Sequence, residues 1–100
     1  MDKEISQLIM IEVKPGHRDE QIKAYNELVS QVLAEKGCLE YDLRAVDGSE
    51  NKFVLVEKWV SEQALEFHDN TDYMKKADSL NHLFRAKPAE VIRLTDLQKT

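Results

Sequence analysis

From residue 5 to residue 13, ISQLIMIEV, β-branched and long apolar side chains dominate, and the run stops at the turn signal Lys14-Pro15-Gly16. This predicts a first strand. Apolar residues then recur at spacings of three and four, at Ile22, Tyr25, Val29, Val32 and Leu33, and Gly37 follows as a helix C-cap would. From Cys38 to Val46 the pattern alternates. Leu39, Tyr41, Leu43 and Ala45 fall on one face, and Cys38, Glu40, Asp42, Arg44 and Val46 on the other. Asp47-Gly48-Ser49-Glu50-Asn51 has the composition of a hairpin loop, so residues 53–60 are expected to pair antiparallel with this second strand.

Ser61 offers an N-cap hydroxyl for a helix running through Leu65 and His68, with a break near Asn70-Thr71-Asp72. Tyr73, Ala77, Leu80 and Phe84 restore helical spacing until Pro88, and residues 90–97 read as a last strand. The order β-α-β-β-α-β is that of an α+β, ferredoxin-like antiparallel sheet with two helices on one face. The third strand is apolar on both sides: Phe53, Leu55 and Trp59 on one, Val54, Val56 and Val60 on the other. Two helices cover only one face of a four-stranded sheet. The second face therefore needs a partner, most economically a second copy, and a homodimer packed sheet to sheet is expected.

At 100 residues the chain can build one core but not two, so residues 1–100 are expected to be a single domain with its core at about 5–97. A formal charge of -5, with no clustered Lys or Arg, disfavours nucleic acid and anionic membranes as partners. The N-terminus lacks the long apolar core of a signal peptide, and the lone Cys38 cannot form an internal disulfide; both agree with a cytoplasmic setting.

No CxxC, HExxH, GxSxG, P-loop or GxGxxG occurs, and three scattered histidines with one cysteine show no zinc-ligand spacing, so no metal site is expected. What remains is Glu57, Trp59, His68 and the tyrosines. Glu57 shares a strand face with Phe53, Leu55 and Trp59, so its carboxylate must be paired, protonated or catalytic. The ordinary reading is a bond across the sheet to a Lys or Arg, or partial exposure at the strand end. Trp59 is ordinarily a core or interface residue, and its indole N–H needs a partner when buried. His68 leans toward the apolar stripe of its helix, where a histidine is ordinarily a satisfied packing residue and otherwise an acid–base group. Tyr25, Tyr41 and Tyr73 occupy core-facing positions by period, and Cys38 reads as a small buried hydrophobe.

Four segments in order resemble one family, the antibiotic biosynthesis monooxygenase domain proteins, which are dimeric α+β barrels. They are Val13-Lys14-Pro15-Gly16-His17; Glu35-Lys36-Gly37-Cys38-Leu39-Glu40-Tyr41, similar to E-x-G-C-x-x-Y; the strand ending Glu57-Lys58-Trp59, similar to E-x-W; and Ala64-Leu65-Glu66-Phe67-His68, similar to A-x-x-x-H. The likeness spans residues 7–96. It implies oxygenation of a quinol- or anthrone-like aromatic without a cofactor, the deprotonated substrate passing an electron directly to oxygen. It points to His68 as base or donor, with Glu57 and Trp59 as the other catalytic candidates. Tyr73, Phe67, Tyr41, Met74 and Phe84 are the candidate substrate-lining residues.

Two departures stand out. Asp72 occupies the place of a second family histidine, and Lys75-Lys76-Ala77-Asp78 lacks the axial histidine of haem-degrading relatives, so haem is not expected. Alternatives on the same scaffold are a non-oxidative isomerase or processing enzyme for a phosphorylated autoinducer-type signal, with an anion site near Arg44, Arg85 or Lys87, and a non-catalytic dimeric module that binds a small ligand.

Overall fold

A computed structural model describes residues 3–97. The chain runs β1 (Ile5–Glu12), α1 (Arg18–Leu33), β2 (Cys38–Ala45), β3 (Lys52–Trp59), α2 (Glu62–Asp69), α3 (Asp72–Leu80) and β4 (Glu90–Leu94), with a 3-10 turn at Asn81–Leu83. The strands form one antiparallel sheet in the order β2-β3-β1-β4. This is the ferredoxin-like α+β arrangement that the alternation predicts.

Alternation decides which side is core. On β3 every second residue from Phe53 to Trp59 is buried, and Ile11, Phe53, Leu55, Trp59 and Tyr41 pack with Val32, Leu65 and Phe84 from the helical segments. The other face carries Leu8, Met10, Val54, Val56 and Ile92, placed side by side by the register Leu8↔Val56, Leu8↔Ile92 and Met10↔Val54. These residues are half-exposed or, at Ile92, exposed.

Three details differ from the sequence expectation: the end of the first helix, the phase of β2 and the end of β4. The first helix ends at Leu33 with Ala34 as its cap, and Gly37 is not a left-handed cap. Gly37 is instead a contact: a Cβ there would sit 2.3 Å from the Ala64 Cβ on α2, so only glycine lets the α1–β2 turn press onto that helix. On β2, Cys38 pairs with Trp59 and Glu40 with Lys58, leaving Leu39 as the extra residue of a bulge. The bulge reverses the phase, so Cys38 packs against the core while Leu39 is exposed.

The break in the second helix makes two helices with one residue serving both. Thr71 Oγ1 donates to the His68 carbonyl at 2.9 Å, closing α2, and accepts from the Met74 N–H at 3.3 Å, opening α3. β4 stops at Leu94 rather than at residue 97. Its ladder ends opposite Ser6, one residue from the start of β1, and beyond it there is no strand to join. No helix among the described residues is long and apolar enough to cross a membrane.

Candidate active site

The register lines up two rows of side chains across all four strands on the helix-covered face. Tyr41 of β2 lies opposite Glu57 of β3, Glu57 opposite Gln7 of β1, and Gln7 opposite Arg93 of β4. The next row is Leu43, Leu55, Ile9 and Val91. Together they floor a cavity of about 360 Å³, a polar row beside an apolar one. α1 contributes Gln21, Ala24, Tyr25 and Leu28 above it, α2 Leu65, His68 and Asp69, and α3 Met74, Ala77 and Asp78, with Arg85 at one end. The volume is within the range of sites for small molecules, about 300–1,000 Å³.

The polar row is hydrogen-bonded along its length. Glu57 Oε1 accepts from Trp59 Nε1–H at 2.9 Å and from Gln7 Nε2–H at 3.2 Å. Gln7 Oε1 accepts from Arg93 Nε–H at 3.3 Å, and Arg93 reaches out to Glu62 Oε1 at 3.3 Å. The partners of Glu57 are thus an amide and an indole rather than the Lys or Arg of the ordinary reading. Burial pushes its carboxyl above the usual range, against the opposing pull of these bonds and of His68.

His68 is 1% exposed and lines the cavity. Its ring lies 4.5 Å from the Trp59 ring, centroid to centroid, and meets the Tyr41 ring edge-on at 5.5 Å. Its Nδ1 is 2.9 Å from Glu35 Oε2, and the Tyr73 hydroxyl donates to the same oxygen. Burial, followed by this bond, pushes the Tyr73 phenol up to about 12.

Further round the wall, burial raises the carboxyls of Asp69 and Asp78 and lowers the Arg85 guanidinium, which Asp78 draws back up. Arg85 Nε–H donates to Gln21 Oε1 at 3.0 Å. Among the described residues, no three His, Cys, Asp or Glu side chains converge to hold a metal ion.

Of the residues singled out from the sequence, His68, Glu57, Tyr41 and Met74 line the cavity. Trp59 is fully buried behind it, its ring tilted against that of His68 and its N–H holding Glu57. Tyr73 and Phe84 lie along a separate groove between α1 and α3, Phe84 in the core and Tyr73 tied back to Glu35. Phe67 is a correction: it is 67% exposed and lines no part of the cavity, because its helix turns the His68 side inward and leaves Phe67 to solvent. Sequence reasoning missed Gln7, although it occupies the buried phase of β1 between Ile5 and Ile9, a polar residue where an apolar one is due. Glu35 entered only as the first residue of the E-x-G-C-x-x-Y likeness, with no role of its own; a turn residue has no periodicity to betray it.

A ferredoxin-like sheet whose covered face holds a histidine-lined cavity defines a class of small α+β proteins. The family model for antibiotic biosynthesis monooxygenases matches residues 5–79, and the chain belongs to that family. It is 36% identical over 83 residues to "Putative monooxygenase YcnE" of Bacillus subtilis, covering 83% of this chain and 87% of that one. Among solved structures, PA3566 from Pseudomonas aeruginosa matches with a TM-score of 0.88 at 28% identity, covering 98% of each chain. Rv0793 from Mycobacterium tuberculosis shares the fold, with a TM-score of 0.88 at 21% identity over 97% of this chain and 98% of that one.

Proposed function

We propose that this protein is a cofactor-independent monooxygenase that oxidises a small quinol- or anthrone-like aromatic in the cavity over β1 and β3. The observation that supports this most is His68, buried among aromatic rings on the wall of a cavity with one apolar and one polar row beneath. A flat ring lies on Leu43, Leu55, Ile9 and Val91, and its oxygens face the polar row. Tyr41 and Met74 complete the wall, while Trp59 holds Glu57 from behind.

His68 takes the phenolic or enolic proton, leaving an electron-rich anion. The anion gives one electron to molecular oxygen, the two radicals join in a carbon–oxygen bond, and loss of water leaves a new carbonyl. For an anthrone methylene the balance is CH₂ plus O₂ to C=O plus H₂O, the substrate supplying every electron. Glu57, with its raised carboxyl, is the group suited to return a proton to the departing peroxide oxygen.

Asp69 and Asp78 around the same cavity as Arg85 disfavour a phosphorylated ligand, since a phosphate would meet these two acidic side chains beside the half-buried Arg85 guanidinium. Arg44 and Lys87 are exposed and away from the cavity lining. The protein is proposed to act as a homodimer through Leu8, Met10, Val54, Val56 and Ile92, in the cytoplasm. The test is oxygen uptake over a panel of reduced quinols and anthrones with metals chelated. Uptake that His68→Ala abolishes while folding is retained is the expected result; no uptake across the panel overturns the oxygenase reading in favour of a binding module or a non-oxidative enzyme.

A further inference from the structure

We infer that Glu35 is the positioning residue that sets the tautomer of His68, holding the proton on Nδ1 so that Nε2 meets the cavity as an unprotonated acceptor. This rests on the reading of His68 as the base, and adds to it a residue outside the cavity lining.

The geometry is specific. The side chains of His68 and Glu35 are only 2% and 5% exposed, and Nδ1 stands 2.9 Å from Glu35 Oε2. Tyr73 O–H donates to that same oxygen. The other carboxylate oxygen, Oε1, is buried without a partner. A carboxylate only accepts, and a buried one that lacks donors carries the full cost of its lost hydration. With Oε1 unpartnered, Glu35 has two available donors, the Tyr73 hydroxyl and His68 Nδ1. Leaving the proton on Nε2 would turn an Nδ1 lone pair against the carboxylate and remove one of the two. With the proton on Nδ1, the free lone pair of Nε2 is the one left to a substrate.

The backbone fixes the carboxylate as firmly as the contact requires. Glu35 N–H donates to the Val32 carbonyl at 3.0 Å, and Cys38 N–H to the Glu35 carbonyl at 3.1 Å. Gly37, with its carbonyl accepting from Val60 N–H at 2.9 Å, brings this turn against Ala64, one helical turn before His68. The turn and the helix that carry the two side chains are therefore locked to one another, and the base is oriented as an imidazole backed by a carboxylate is in unrelated catalytic sites.

The experiment is long-range proton–nitrogen correlation NMR of the uniformly ¹⁵N-labelled full chain at neutral pH, with His17, His68 and His82 assigned by single substitution. The wild type is expected to show His68 protonated at Nδ1 and bare at Nε2. In Glu35→Leu the Nε2–H form is expected to appear, and oxygen uptake to fall by about 10²-fold or more, as it does when a base is held in the wrong tautomer. An Nε2–H or doubly protonated ring in the wild type overturns the assignment; so does a folded Glu35→Leu protein whose ring keeps the wild-type tautomer. The wild-type spectrum needs no substrate. An Nδ1–H ring in a protein that oxidises none of the panel therefore supports the role of Glu35 in fixing the ring while sinking the oxygenase reading.

Discussion

Trp59 and Glu57, two positions apart on one face of β3, are joined by a 2.9 Å bond from indole N–H to carboxylate, so the one tryptophan of the chain serves as a donor to its most buried strand carboxylate. Strand alternation puts both on the covered side, and burial leaves each in need of the other. The E-x-W pair is in this protein a piece of internal wiring: Glu57 faces the cavity and Trp59 stands behind it.

The pH dependence of stability follows from that burial. Glu57 has a folded-state pKa above its unfolded value, so the folded state binds the proton more tightly, and the stability this gives is lost as pH rises from near 4.5 through the folded pKa. Glu57→Gln keeps an acceptor for Trp59 and Gln7 but has no proton to lose. The difference in Tm, variant minus wild type, is expected to grow more positive between pH 4 and pH 8. A difference that is flat or falls with pH contradicts the burial argument.

Gly37→Ala forces a methyl to 2.3 Å from the Ala64 Cβ, which sits on a helix and cannot swing away. Relief requires the α1–β2 turn to move off α2, at a cost of about 1–3 kcal/mol by denaturant titration. Because Glu35 rides on the same turn, the His68 ring signals are expected to shift in this variant, whereas Gly48→Ala, in the open hairpin turn at φ +82°, should destabilise through backbone strain without moving them.

Sedimentation equilibrium is expected to return twice the 11.6 kDa chain mass for the wild type. Val56 is central to the open sheet face, flanked by Leu8 and Asp42. Val56→Asp adds a second carboxylate beside Asp42 and should give a folded monomer, with circular dichroism unchanged. A monomeric wild type at micromolar concentration refutes the dimer.

Cys38 packs against the core beside Trp59, and burial followed by the Glu35 charge pushes its thiol up to about 11. At pH 8 very little of it is thiolate, so reaction with a disulfide reagent is expected to run at least about tenfold slower than for a free cysteine near 8.5, and to speed up toward pH 11. Rapid modification of the native protein at pH 8 would contradict this.

The sequence alone determines the ladder of strands, the covered face of β3 and the inward lean of His68. Each is a local rule: period two selects a sheet face, and period near four selects a helix face, from neighbours only a few residues apart. Four loose segments in order were enough to indicate the family, because their gaps match a whole chain path rather than one site. Phe67 illustrates the limit of that likeness, since a segment can match while one of its side chains points to solvent.

What the tertiary structure decided lies between elements. The row Tyr41, Glu57, Gln7 and Arg93 exists because three separate strand pairings share one register, and no window of sequence contains that register. The bulge at Leu39 inverted the phase of Cys38, which alternation by itself assigned to the other face. Glu35 and His68 are 33 residues apart and meet because Gly37 allows a turn to touch a helix. The choice of nitrogen on an imidazole depends on a contact made only when the chain is folded, so the sequence names the histidine and the fold selects its proton.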